Sequence, residues 1–275
     1  KHALTQEVAY NSVLQERRKT LHERTARAIE DLYRDKLDDH YSDLAHHYSR
    51  SGTSEKAIEH LYKAGQQAVQ RSANAEAISH LTTALELLRT LPDTDERARQ
   101  ELGLQTTIGP AWMAVKGYAA PEVERAYSRA RELCQQMGET RQLFTILRGL
   151  WVFYIVRAEL RTARELGEQL LQLAQNAQDP ALFLEAHYTL GETLYYLGEF
   201  TSAYIHVKQG IALYDPQQHH SHVFLYGVDP GVFCLSRTAY VLWLFGYPGK
   251  AMKRSQDVLV LAQELVHFNP LAGIL

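Results

Sequence analysis

Residues 184–216 read LEAHYTLGETLYYLGEFTSAYIHVKQGIALYDP, and this stretch decides the fold. Leu190 and Gly191 stand side by side, Ala203 follows the glycine by twelve residues, and Pro216 closes the unit. Two runs of helical periodicity are broken by Leu197-Gly198-Glu199-Phe200, where a glycine accepts the left-handed backbone that ends a helix. The spacing predicts two short helices joined by a tight turn. Such a pair cannot bury its own apolar face, so it requires neighbours of the same kind.

Those signposts resemble the tetratricopeptide pattern of ~34 residues, W-x2-L-G-x2-Y, then A-x3-F, then P. His187 stands where the pattern has Trp, Leu194 where it has Tyr, Val207 where it has Phe, and the proline comes one residue late. The neighbours are legible at the same small-residue offsets. Gly52 precedes Ala57 by five residues, as Gly198 precedes Ala203 and Gly246 precedes Ala251. Ala57 and Ala64, Ala77 and Ala84, and Ala163 and Leu170 each lie seven apart. The expected fold is all-α, an α-α superhelix: a tetratricopeptide-like solenoid of roughly eleven or twelve helices.

An array of this kind can reach 275 residues without dividing, and 45% hydrophobic residues suffice for its core. A formal charge of −3 gives no general case for nucleic acid, which needs a concentrated basic surface. The longest apolar run, Leu150 to Val156, falls far short of the ~18 residues a membrane helix needs. The two cysteines, Cys134 and Cys234, lack metal-finger spacing and suit a reducing, cytoplasmic setting. A first residue of Lys1 and the absence of a signal-peptide pattern suggest a piece of something longer.

Along the chain, residues 1–36 read as a linker-like helical segment and 37–275 as the repeats. In the opening helix Leu14, Leu21, Ala28 and Leu32 can share one stripe. Its arginines, interleaved with acids, read as a solvated face or as a basic contact surface for a partner domain. Asn74 is a candidate N-cap and Pro92 a stop. Further helices are expected at 95–115, 120–137, 141–157, 160–177, 181–197 and 249–266, with no strands. Ala203 and Ala251 are 48 residues apart, so an insertion must sit in the long loop 215–231. Insertions of this kind often serve binding.

Catalytic signals are missing. There is no phosphate loop, nucleophile elbow or H-E-x-x-H zinc helix. His40, Asp43 and His47 could share a helix face, and His219, His220 and His222 cluster in the long loop, but neither group is expected to hold a metal. No cofactor and no catalytic residue is expected. The sixteen tyrosines are more suggestive, since tyrosine gives amphipathic contact area at low rotamer cost. The candidate interaction surface comprises His187, Tyr188, Tyr195, Tyr196, His219, His222 and Tyr226, the last three on a loop that would project from a rigid platform at 184–216.

The opening HALTQEVAYNSVLQERRKTLHERTARAIE, at His2-Ala3-Leu4, Gln6-Glu7, Ala9-Tyr10, Leu21-His22 and Arg24, resembles the segment that follows the nucleotide-binding module of STAND-type signalling ATPases. Residues 44–81 and 116–134, with LYDP and DPG, are similar to the C-terminal region of bacterial proteins that fuse such an ATPase to a class III adenylate/guanylate cyclase or a protein kinase domain. The resemblance implies that the catalytic loops lie upstream of Lys1. It implies a sensing or scaffolding role here, with a protein or peptide in the superhelical groove and the upstream ATPase as a partner in cis. A small-molecule-binding effector domain is the alternative. Neither nucleic acid nor membrane is an expected partner.

Overall fold

The computed structural model describes residues 8, 10–138, 142–219, 222 and 226–268. The chain forms two compact units, Lys1–Met137 and Gly138–Leu275. The fold is all-α and tetratricopeptide-like; no strand occurs among the described residues. The first unit holds α1 (Gln15–Leu32), a 3-10 turn (Arg34–His40), α2 (Tyr41–Ser51), α3 (Ser54–Gln70), α4 (Asn74–Leu88), α5 (Asp95–Lys116) and α6 (Pro121–Met137). The second holds α7 (Leu143–Val156), α8 (Leu160–Ala177), α9 (Pro180–Tyr196), α10 (Phe200–Leu213), the one-turn α11 (Pro216–His219), α12 (Pro230–Leu244) and α13 (Pro248–Phe268). Among the described residues, twelve helices have eleven residues or more. The expected spans are met to within a few residues at each end.

Within each unit the long helices pack mainly on their sequence neighbours, as stacked hairpins must. The glycine-to-alanine offset has a simple physical basis. Gly52, Gly198 and Gly246 take φ of +86°, +80° and +79° and end their helices. Five residues on, Ala57, Ala203 and Ala251 are buried on the first turn of the next helix. Gly191 explains the close crossing of α9 and α10: a Cβ there would sit 2.5 Å from Val207 Cγ1. Gly65 meets Leu81 in the same way and at the same sixteen-residue separation, with a contact at 2.7 Å.

Two local expectations are corrected, and a third gains its direction. Leu14, just before α1, and Leu21 and Leu32 within it face outward, at 79%, 48% and 77% exposure, while Ala26 is fully buried and Ile29 packs beside it. A small residue permits close approach to α2, and it lies on the other side of the helix from the leucines. Asn74 is the first residue of α4 rather than its cap; Ala73 occupies that position without a side-chain bond. The 215–231 stretch is not simply a loop, because it contains α11 and the start of α12. Of the opening motif, His2–Glu7 and Ala9 lie outside the described residues. No described helix is long and apolar enough to cross a membrane.

Candidate functional site

The second unit buries an unusual row of charges. In α7 the sequence LFTILRGLWVFYIV carries one charged residue, Arg148, and helical geometry turns it inward with Trp151, leaving it 2% exposed. In α9, Glu185, Tyr188 and Glu192 fall at i, i+3 and i+7 and therefore on one face. Both carboxylates are buried, Glu185 at 0% and Glu192 at 6% exposure. From α12, Arg237 completes the row at 9%. Helix α9 touches both α7 and α12, and Tyr188 packs against Trp151 of the one and Phe233 of the other, which brings the charges together.

Arg148 Nε donates to Glu185 Oε2 at 3.2 Å, and His222 Nδ1 meets Glu185 Oε1 at 2.7 Å. The Arg148 guanidinium lies 4.5 Å from the ring of Trp151, 5.0 Å from Tyr188 and 5.6 Å from Tyr226. Trp151 is held in place by its indole N–H, which donates to Thr193 Oγ1 at 2.8 Å. Arg148 Nη1 is buried and has no hydrogen-bond partner among the described residues. An unsatisfied charged donor of this kind is costly, and a carboxylate, phosphate or carbonyl oxygen is the chemistry that would satisfy it.

The second pair is forked. Arg237 Nε donates to Glu192 Oε2 at 2.6 Å and Nη2 donates to Oε1, a bidentate geometry. Its guanidinium lies 4.3, 5.2 and 5.3 Å from the rings of Tyr195, Tyr196 and Tyr240. Burial pushes the Glu192 carboxyl up, against the attraction of Arg237. Here the aromatic cage opens to solvent, with Tyr196 and Tyr240 at 53% and 54% exposure and Trp243 at 65%. Exposed aromatics around a buried arginine are typical of contact surfaces.

Five of the seven candidate residues gather here. Tyr188, His222 and Tyr226 surround Arg148 and Glu185; Tyr195 and Tyr196 surround Arg237. His219 stacks on Tyr214 and accepts the backbone N–H of Asp215 at 3.0 Å, with its ring 5.2 Å from that of His222. His187 belongs to neither cage. It pairs with His206 of α10, Nδ1 to Nδ1 at 3.0 Å, and burial, aided by His206, lowers its pKa to about 4. The projecting loop is corrected as well. His219 and His222 are 6% and 7% exposed, tucked in by their contacts with Tyr214 and Glu185. Burial pushes the Tyr226 phenol up to about 12.

The charges that organise the row were not among the expected residues. Their signal was available: Arg148 and Arg237 are isolated charges in apolar helices, and Glu185 and Glu192 recur seven apart on α9. Cys234 packs against Gly210, and burial holds its thiol protonated. In the first unit His40 reaches Asp43 at 3.4 Å, but His47 turns instead to His22, with Nδ1 atoms 2.9 Å apart. Among the described residues no three such groups converge as metal ligands.

No family model matches the chain. It is 28% identical over 249 residues, 90% of its own length, to an uncharacterized protein of Rhizobium meliloti (strain 1021), and spans 24% of that relative. Among solved structures it resembles NprR in complex with its cognate peptide NprX, at 14% identity and a TM-score of 0.58, covering 99% of this chain and 75% of that one. It also resembles the TPR-like repeats of a Podosopora anserina kinesin light chain, at 13% identity and a TM-score of 0.57, covering 75% of this chain and 95% of that one. At these identities the likeness carries the fold, which is that of tetratricopeptide-like repeats.

Proposed function

We propose that this chain is a non-catalytic protein- or peptide-binding repeat region of a longer signalling protein. It regulates an upstream ATPase of the STAND type, with a nucleotide cyclase or kinase as output, acts in the cytoplasm, and works without a cofactor of its own. The observation that carries the binding role is the solvent-open aromatic cage of Tyr196 and Tyr240 around the buried Arg237. NprR, which shares the fold, is solved with a peptide bound. The signalling context rests on the opening motif and on the much greater length of the relative. A ligand regulates in such a design by binding one state of the whole protein better than the other.

A small-molecule effector is the second reading. The near-complete burial of Arg148 favours it, since a compact anion reaches such a group more readily than a chain does. Two measurements test the proposal: a peptide array on this chain with the Tyr196→Ala/Tyr240→Ala variant as comparison, and nucleotide turnover of the full-length protein with and without the region. Binding lost in the variant and altered turnover on deletion are expected. Unchanged turnover together with no variant-sensitive peptide would sink it.

A further inference from the structure

The first unit contains a cleft of about 590 Å³ in which α5 forms the floor and α4 and α6 the walls. Arg97, Glu101, Gln105, Ile108 and Trp112 contribute from α5. Their spacing of i, i+4, i+8, i+11 and i+15 is one continuous stripe. At 1.5 Å per residue the stripe is about 22 Å long, so this volume describes a long, narrow trough rather than a rounded pocket. An extended chain advancing ~3.3 Å per residue fills that length with about six or seven residues.

The lining sets the chemistry. Toward its Trp112 end, the half-buried Leu85 and Trp112 make an apolar patch over the buried Ile108. Beside it lies Gln105, whose side chain is 8% exposed and lines the cleft. A side-chain amide at the wall of a cleft carries both a donor and an acceptor, the pair that a peptide group requires. The rim is cationic. Of its carboxylates, Glu101 is gripped by Arg129 at 2.7 and 3.0 Å, and Glu122 takes Lys116 at 2.7 Å. Among the described residues Arg89 meets no carboxylate, and Arg97 meets Asp93, itself 88% exposed, at 3.2 Å, and the Leu91 carbonyl at 3.3 Å. The trough therefore holds more positive charge than its own acids answer.

We infer that this trough binds an extended acidic peptide segment of about six or seven residues. An apolar side chain sits on Leu85 and Trp112, the backbone is held by Gln105, and acids face Arg89 and Arg97. The inference rests on the peptide-binding reading above and deepens it by giving a partner's length and charge at a place outside the charged row of the second unit.

The test is calorimetry on the whole chain with capped heptapeptides, glutamates flanking a central leucine, against the same peptide with lysines. The acidic peptide should bind at micromolar level and weaken as salt rises. Binding should fall about tenfold in Arg89→Glu, should weaken in Gln105→Leu, and should be unaltered in Arg71→Glu, an exposed arginine outside the cleft. Circular dichroism checks that each variant is folded. Equal binding of the lysine peptide, equal effects of the two arginine variants, or preferential binding of a thymidine heptanucleotide would overturn the inference. If these fail while partner binding sensitive to Tyr196→Ala/Tyr240→Ala persists, only the trough assignment falls.

Discussion

Arg148 and Glu185 form an ion pair from which water is almost wholly excluded, at 2% and 0% side-chain exposure. Attraction inside a protein offsets the desolvation of two charges only when both remain, so removing one partner is worse than removing both. Glu185→Gln and Arg148→Met should each destabilise the chain by about 3–5 kcal/mol, and the double variant by clearly less than their sum. Urea denaturation of the four proteins gives the coupling; additive losses would show that the pair is not a unit.

Gly191 and Val207 offer a packing test. Alanine at 191 gains helix propensity of roughly 0.5–1 kcal/mol, but its Cβ would stand 2.5 Å from Val207 Cγ1. Overpacking costs about 1–3 kcal/mol, so Gly191→Ala should be net destabilising. Adding Val207→Ala should recover part of the loss, which a double-mutant cycle reads directly.

Stability should fall in mild acid. The folded pKa of His187 is about 4, below its ordinary 6.5, because burial and then His206 disfavour the charged ring. His206 is lowered by burial as well. Groups with depressed folded pKa contribute stability above the unfolded pKa and lose it as pH drops toward the folded one. The window is therefore pH 6.5 down to about 4. The His187 loss is roughly 3 kcal/mol at most, at about 1.36 kcal/mol per unit. Denaturation of wild type and His187→Phe at both ends of the window checks this; an equal pH slope in the two proteins would count against it.

Glu30 gathers three donors: Tyr48 Oη–H at 2.7 Å, Lys56 Nζ at 3.1 Å and the His60 ring at 3.3 Å. Since Tyr48 lies on α2 and the other two on α3, this carboxylate fastens α1 to both. Glu30→Ala should cost about 1–3 kcal/mol and should speed amide exchange in α1 far more than in α4 or α5. Uniform exchange across the unit would contradict that local role.

The repeat architecture was legible because glycine and alanine enforce backbone geometry wherever they stand. Gly52, Gly198 and Gly246 mark helix ends by φ alone, and Ala57, Ala77 and Ala203 mark crossings by size alone. The tyrosines near the charged row could be picked out by density. The four charges stood out singly, but their pairing did not, because Arg148 and Glu185 are 37 residues apart and meet only after α7 and α9 have packed. The direction of the leucine stripe in the opening helix was not legible for a related reason. Periodicity finds an apolar stripe but does not say which side a neighbour covers, and Ala26 with Glu30 outweighed three leucines.

The attachment of α1 has a consequence for how the region responds to its surroundings. Ala26 is the one fully buried side chain of that helix among the described residues, so a carboxylate cluster and the His22–His47 contact share the joint with the small apolar cluster of Ala26, Leu44, Tyr48 and Ala57. Acid or high ionic strength weakens the polar contacts while leaving apolar cores largely untouched. The joint thus acts as a fuse: the first helix should detach under conditions that leave the remaining hairpins standing.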